Sequence, residues 1–436
     1  MKKLQQEKKL GLKELIAIGI GGMVGGGIFT ILGISVSMIG TLAPFAIALG
    51  GLVAFFAAYA YVKLGLYYKD EGATYAFFKR TYKDSHLAAS FIGWYTIFGY
   101  ISTLALYAYT FSAYGLSGGD FAHNELVRKG VAILIILIFA LINIWSVKGM
   151  GEIEDVMVYI KLTILFIISM MLIYHTDVDF DNFRKIIYSD AKNSSILAIL
   201  TVSSVTFVAY EGFQLVINAV KDMNNPDKNI PRAIYASLII VTGLYFIIAL
   251  ASVLSIPAHD LIANKEYALA SGAKDVMGSF GEDLVIIGAV LATSSAISGT
   301  MYGSSRQMAR IADDGYLPKI LTKRRGTIPV NAIIAMALTA SALIIAGGLR
   351  VILEFGSITF LFVSLLMAIA NFKIRNLTRS STVMGIVTIL GLSIGSILIL
   401  LYEYKNNVEQ LIFIAIIYML LTIGAYIYSK YLRTNR

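Results

Sequence analysis

The sequence contains no cysteine and few charged residues for its length. The lack of thiols excludes disulfide bonds, thiolate metal sites and a cysteine nucleophile. Charged residues make up 14% of the 436 residues, against roughly 25% in an average soluble domain. Together with 57% hydrophobic residues and a strongly positive mean hydropathy, this composition indicates an integral membrane protein.

Residue patterns typical of a catalytic site are also missing from the sequence. The four histidines fall at the ends of apolar segments or between them, without metal-ligand spacing, so no metal and no cofactor are predicted. We find no nucleophile elbow, phosphate-binding loop or catalytic carboxylate pair, and an enzyme is not expected. The net charge of +9 comes from basic residues that flank apolar segments, so no nucleic acid partner is predicted either. No obligatory protein partner is inferred.

Apolar segments long enough to cross a bilayer dominate the chain. Taking about 20 mainly apolar residues as one span, the sequence predicts an all-α integral membrane fold with twelve transmembrane helices. The predicted spans are 14–37, 41–66, 87–115, 130–147, 153–175, 196–222, 233–256, 283–311, 329–347, 352–372, 382–402 and 409–429. Most connections are short, and the two longer ones, at about 176–195 and 257–282, are predicted to be external.

Basic residues cluster on alternate connections. The runs KILTKRRG at 319–326 and KIRNLTR at 373–379 fall on the same predicted side as the N-terminal lysines, whereas the other side has scattered basic residues. The protein is predicted to lie in the plasma membrane. By the positive-inside rule, both termini are predicted to face the cytoplasm, with the basic runs close to anionic lipid.

Two of the predicted spans contain an interruption. The first contains GIGGMVGGGIF, with six glycines in the eleven residues Gly19 to Phe29, and each interior glycine costs a helix about 1 kcal/mol relative to alanine. The sixth contains FVAYEGFQ, in which Glu211 and Gly212 interrupt an apolar run. Interruptions five helices apart are typical of a transporter with two inverted five-helix repeats. The predicted units are the repeats 1–175 and 196–372 and the accessory helices 382–429.

The two interruptions predict a site for a zwitterion. Where a helix restarts at Gly26 and Gly27, free amides and the positive end of the helix dipole suit a carboxylate. Where a helix stops, its unpaired carbonyl groups suit an ammonium group. An α-amino acid carries both charges on one carbon atom. The alternative interpretation of the glycines is close helix packing through small residues.

Four motifs in order resemble the amino acid, polyamine and organocation transporter family. They are GIGGMVGGGIF in the first span, DEGATYAF at 70–77, NNPDKNIPRAI at 224–234 and SSRQMARIADDGYLP at 304–318. The resemblance covers the first ten spans. It is strongest to archaeal and bacterial permeases that have a lysine in the fifth helix and work without sodium.

This resemblance implies an L-amino acid substrate, alternating access and the LeuT-like five-plus-five fold. It implies a role for seven residues in substrate binding: amides of Gly26 and Gly27 with Gly25 in the same loop, carbonyls of Met23, Val208 and Glu211, and Gly212 beside them. The cation site of the sodium-coupled relatives matches Gly21, Lys161, Ser294 and Ser295, so a tethered ammonium group would replace sodium.

Lys161 lies about 8 to 11 residues into the fifth span, roughly 12 to 16 Å along the helix. Its burial costs about 2.5 to 3.5 kcal/mol on insertion scales, and desolvation disfavours the charged form. Lys161 is therefore predicted to bind and release a proton, holding the first helix when charged and releasing it when neutral. Two alternatives stay open: a static ammonium group, which leaves a uniporter or exchanger, and a fixed ion pair with Glu211.

Glu211 is a second ionisable residue within a span and a second functional candidate. Its carboxylate can pair with a basic substrate, bind a proton or hydrogen-bond to the backbone at the break. Many members of the family that the chain resembles have a small or apolar residue here. The alternative function is therefore a sodium-independent exchanger or uniporter for cationic amino acids or polyamines.

Other side chains in the spans have plainer interpretations. Arg350 and Glu354 are four residues apart on one helix and predict a local ion pair. The spans have too few aligned polar residues for a channel. Aromatic residues are candidates to close the site, although most aromatic residues in spans serve packing: Tyr95, Tyr100, Tyr107, Tyr109, Tyr210 and Phe213.

Overall fold

The computed structural model describes residues 9–145, 150–176 and 180–434, and these ranges are mostly α-helical. The helices are α1 (Leu12–Met23), α2 (Gly27–Ile39), α3 (Ala43–Tyr68), α4 (Ala73–Thr81), α5 (His86–Gly115), α6 (Glu125–Trp145), α7 (Met150–Tyr174), α8 (Phe180–Asn193), α9 (Ile196–Val205), α10 (Leu215–Asn218), α11 (Pro226–Ser255), α12 (Ala258–Ala263), α13 (Ala268–Asp313), α14 (Val330–Ala346), α15 (Leu349–Lys373), α16 (Arg375–Thr378), α17 (Thr382–Asn406) and α18 (Val408–Thr434). Short 3-10 turns occur at Gly40–Leu42, Thr206–Tyr210 and Lys319–Thr322. The described ranges contain no strand, only two isolated β-bridges.

Ten segments of the described chain are long and apolar enough to cross a membrane. This number differs from the predicted twelve because some predicted spans are short or merged. α1 has 12 residues and α14 has 17 residues, whereas α2 and α3 form one apolar segment of 42 residues. The chain is a multi-pass membrane protein with an all-helical fold.

The helices divide into a buried centre and a periphery. Within its most apolar stretch, α15 is 78% buried and α5 is 72% buried, against 17% for α18 and 28% for α6 and α17. Because the exposed side chains of α6, α17 and α18 are mainly apolar, these helices face lipid. The short helices α1, α2, α9 and α10 pack among α3, α5, α11 and α13, at the centre of the bundle.

The two longer predicted connections contain helices. The segment 176–195 includes α8, and 257–282 includes α12 and the start of α13. Gly278 interrupts α13 with a φ of +68°, a left-handed conformation that glycine adopts readily, and so separates the connection from the span. The backbone of Lys265, just after α12, packs directly on Gly33 of α2. This connection therefore packs against the middle of α2.

Candidate functional site

The first interruption lies between α1 and α2. α1 ends at Met23, α2 begins at Gly27, and the three residues between them are not helical. The amide of Gly25 donates to the carbonyl of Met23 at 2.9 Å, so it is used within the loop. No side chain caps α2, and the amides of a first helical turn have no acceptor inside the helix. The start of α2 is therefore suited to an anion.

The glycines of this loop allow very close contact with other elements. A Cβ atom on Gly27 would lie 2.7 Å from the Cβ and 2.9 Å from the Cα of Ala209, and one on Gly25 would lie 2.7 Å from the Cβ of Ala296. Such distances are too short for packed carbon atoms. Both interpretations of the glycine run therefore apply, because the glycines interrupt the helix and also permit close packing.

The second interruption lies between α9 and α10. The 3-10 turn Thr206–Tyr210 and a short non-helical stretch separate the two helices. The amide of Glu211 donates to the carbonyl of Val208 at 3.1 Å. The backbone of Gly212 packs directly against that of Gly22 in α1, so the two interruptions are in contact.

Tyr245 of α11 joins the two interruptions. Its hydroxyl donates to the carbonyl oxygen of Met23 at 2.8 Å and lies 3.4 Å from that of Ala209. The side chain is fully buried. The Met23 carbonyl oxygen therefore accepts from both Gly25 and Tyr245, and any further donor would have to displace one of them or share this acceptor.

Replacing Tyr245 with phenylalanine is expected to lower the free energy of unfolding by about 1 kcal/mol, because a buried hydrogen bond between the two interruptions is lost. Thermal unfolding of the purified protein in detergent measures this change. Tyr159→Phe is the matched control, since this tyrosine of α7 is 57% exposed. Equal unfolding temperatures for the two variants would contradict a linking role for the Tyr245 hydroxyl.

Lys161 lies near the middle of α7 and is fully buried. Its Nζ donates to the carbonyl oxygen of Gly21, in the last turn of α1, at 3.1 Å. Ser295 of α13 is buried, and its hydroxyl has no hydrogen-bond partner among the described residues, while Ser294 is half-buried. Of the four residues matched to a cation site, the structure thus joins Lys161 and Gly21 by a hydrogen bond.

The Glu211 side chain is 4% exposed, and neither carboxylate oxygen has a hydrogen-bond partner among the described residues. This excludes, for this structure, both a carboxylate bonded to the backbone at the break and a hydrogen-bonded ion pair with Lys161. The carboxylate is close enough to interact electrostatically with the hydroxyl groups of Tyr61, Tyr100 and Tyr107. A buried acidic group without a donor is costly, so Glu211 is suited to binding a cation or a proton.

A polar cluster beside Glu211 was not predicted from the sequence. The amide of Gln214 donates to the hydroxyl of Tyr100 at 2.8 Å and accepts from the hydroxyl of Thr74 at 2.8 Å. All three side chains are buried. Thr74 belongs to the DEGATYAF motif, so this motif is in direct contact with the second interruption.

The aromatic candidates differ in their positions. The hydroxyl of Tyr107 donates to the carbonyl of Gly22 at 3.3 Å, next to both interruptions. Tyr95 instead pairs with Thr422 of α18, and Tyr210 donates to the carbonyl of Ile47 in α3. Tyr107 is therefore the best placed of these three to touch a ligand.

A cavity of about 810 Å³ opens beside the two interruptions. Its lining includes Ile18 of α1, Leu215 and Asn218 of α10, and Tyr302 and Arg306 of α13. Leu215 also packs against Gly22, so one residue of the cavity wall contacts α1 where the interruptions meet. Its lining also includes charged residues of the DEGATYAF and SSRQMARIADDGYLP motifs.

Comparison with known proteins gives consistent matches over most of the chain. The sequence profile of the amino acid permease family matches residues 10–428. An uncharacterised protein of Methanocaldococcus jannaschii is 31% identical over 323 residues, which cover 73% of this chain and 72% of that protein. The inner membrane transport protein YbaT of Escherichia coli is 29% identical over 378 residues, or 85% and 84% of the two chains. The cationic amino acid transporter 6, chloroplastic, of Arabidopsis thaliana is 25% identical over 397 residues, or 84% of this chain and 65% of that protein.

Proposed function

Because the chain belongs to the amino acid permease family, we propose that it is a secondary active transporter that takes up L-amino acids together with protons and without sodium. The family match confirms the prediction of an amino acid transporter rather than an enzyme. Proton coupling and the transport mechanism go beyond the family match, and the proposal for them is based on the geometry of the candidate site.

The proposed architecture has twelve spans. Its two inverted repeats are residues 1–175 and 196–372, its two accessory helices are residues 382–429, and both termini are cytoplasmic. It is supported by the two interruptions between α1 and α2 and between α9 and α10, because the proposed repeats would each contain one of them in their first span. The cavity beside the interruptions would be the path to the cytoplasm in alternating access.

The proposed substrate site lies where the interruptions meet. The amides of Gly26 and Gly27 would bind the carboxylate, with the adjacent Gly25 loop fixing their direction. The carbonyls of Met23, Val208 and Glu211, beside Gly212, would bind the amino group. Burial supports this assignment, because hydrogen bonds to charged groups are stronger away from water.

The observation that carries proton coupling is the hydrogen bond from Lys161 to the Gly21 carbonyl, at 3.1 Å in a fully buried position. Gly21 is in the last turn of α1, directly before the interruption. A charged lysine would hold this turn to α7, and a neutral one would donate more weakly and release it. Together with Ser294 and Ser295 of α13, the ammonium group would take the place of a sodium ion. A permanently charged Lys161 would leave the exchanger or uniporter of the alternative function.

Uptake into proteoliposomes tests the proposal. Radiolabelled L-amino acids are offered to liposomes that contain the purified protein, with an imposed pH gradient, a sodium gradient or neither, and each of the twenty amino acids is added as a competitor. We expect saturable uptake that an acidic exterior increases and a sodium gradient does not. Uptake that responds only to counter-substrate inside would instead indicate an exchanger.

A second candidate function, transport of cationic amino acids, is favoured by the buried carboxylate of Glu211, which has no described hydrogen-bond partner. It also agrees with the name of the plant relative. On this hypothesis, lysine and arginine compete for uptake, and Glu211→Gln weakens their competition by about tenfold or more, because a charge-assisted bond is lost. Competition by alanine and leucine is the internal control.

Two other outcomes of the Glu211→Gln experiment are informative. If neutral amino acids compete and lysine does not in the unaltered protein, the cationic hypothesis is wrong. If the variant keeps its substrate preference but its uptake changes differently with pH, Glu211 binds a proton rather than the substrate.

A further inference from the structure

A pair of buried acidic groups lies outside the proposed substrate site, where the start of α15 meets the end of α17. Glu354 is 1% exposed and Glu403 is fully buried. Their two carboxyl groups lie within hydrogen-bonding distance of each other. One oxygen of each, Oε2 of Glu354 and Oε1 of Glu403, has no hydrogen-bond donor among the described residues.

Within the described ranges, one cation faces this pair. Arg350 donates from Nε to Oε1 of Glu354 at 2.6 Å, which confirms the predicted local ion pair. Its Nη2 donates to the hydroxyl of Tyr402 at 2.8 Å. The same Nη2 donates to the side-chain oxygen of Asn407 at 3.0 Å.

In the part of the chain that the structure describes, no further charge balances the two carboxyl groups. Among the described residues, Arg350 and the other carboxyl are the charged groups that interact with either acid. The neighbouring helices present uncharged groups to α15: Ser102 of α5 donates to the carbonyl of Ile352, and Tyr418 of α18 pairs with Thr359. Two carboxylates in buried contact cannot both be ionised against one guanidinium group without a large cost.

We infer that Glu354 and Glu403 form a proton-binding site in which one proton is shared between their carboxyl groups and fastens α15 to α17. With that proton, the cluster of two acids and one arginine has no net charge. Without it, two buried negative charges face one positive charge and repel each other, and the proton is released to water. Either acid alone could be an ordinary polar residue near a helix end. The two buried carboxyl groups together need a shared proton to reduce their repulsion.

The position of the pair connects it to the second interruption. One turn further along α15, the hydroxyl of Ser357 donates to the carbonyl of Val205, the last residue of α9, at 2.5 Å. Gly356 packs against the side chain of Val208. The proton shared by Glu354 and Glu403 therefore holds the helix that contacts this interruption.

Thermal unfolding as a function of pH tests the inference on the full chain in detergent. An unfolded glutamate releases its proton near about pH 4.3, so above this pH the folded protein binds one more proton than the unfolded protein. Stability should then fall as pH rises, until the folded pair has itself lost its proton. Glu403→Gln replaces the shared proton by an amide that donates at every pH, so this part of the pH dependence should be lost.

Glu409→Gln is the matched control, because Glu409 is exposed at the start of α18, and it should keep the pH dependence of the unaltered protein. Infrared spectra of the reconstituted protein give a second readout, in which the band of a protonated carboxyl group should weaken in Glu354→Gln or Glu403→Gln. If either variant folds poorly, comparison of the other variant with the unaltered protein still tests the inference. Unchanged pH dependence and an unchanged carboxyl band in a folded variant would overturn the inference.

Discussion

Lys161→Met is expected to bind substrate but to lose accumulation driven by a pH gradient. For one proton per substrate, each pH unit of gradient, acidic outside, supports up to about tenfold accumulation. The variant has no group to bind and release a proton at Gly21, so its internal substrate concentration should approach the external one. Radiolabelled uptake into proteoliposomes with an imposed pH step measures the accumulation, and equilibrium binding to the purified variant measures the affinity.

The control for this variant is Lys13→Met, the same change at an exposed lysine in the first turn of α1, which should leave accumulation unchanged. Lys161→Arg separates a switch from a static cation, because a guanidinium group keeps its charge and is not deprotonated in proteins. Arginine should restore gradient-driven uptake only if a fixed cation is sufficient. Unchanged accumulation by Lys161→Met would falsify the proposed switch.

The membrane-spanning helices could be predicted well because one property determines them. Hydrophobic length places a segment in the bilayer, and the predicted starts and ends follow helices such as α5 and α15 closely. The same signal was weak where helices are short. α14 has 17 residues, and α1 and α2 are half-length helices joined at glycines, so hydropathy alone does not give an exact number of spans.

The site could be predicted in part because a helix break and a buried charge require residue types that can be recognised in the sequence. A run of glycines predicted the first interruption, which the structure has at residues 24–26. The resemblance paired Lys161 with Gly21, and these residues are in contact, although the coupling role of Lys161 stays a prediction.

The hydrogen bonds that connect the site could not be predicted. Tyr245 reaches Met23 across 222 positions of sequence, and Gln214 reaches Thr74 across 140. Such contacts have no periodicity, since they depend on how distant helices pack. Glu403 likewise resembles an ordinary polar residue at a helix end until the fold places it against Glu354. Only the three-dimensional arrangement shows that its carboxyl group is buried.

Gly27→Ala is expected to lower substrate affinity by about tenfold or more and to destabilise the protein by about 1 to 3 kcal/mol. The added methyl carbon would lie 2.7 Å from the Cβ and 2.9 Å from the Cα of Ala209. Because one contact is with backbone, a rotamer change cannot relieve it, and the two interruptions must move apart. The amides proposed to bind the carboxylate would then no longer face the carbonyls proposed to bind the amino group. Equilibrium binding and thermal unfolding measure the two effects.

Gly243→Ala provides the comparison, since this glycine lies inside α11 and a Cβ atom on it would meet no atom within 4 Å. That variant should bind substrate normally and be slightly more stable, because alanine favours a helix by up to about 1 kcal/mol over glycine. The two variants differ in whether the methyl group separates the interruptions. Normal affinity in Gly27→Ala would mean that the substrate does not bind where the interruptions meet, whereas weak binding in both variants would point to a general effect of losing a glycine.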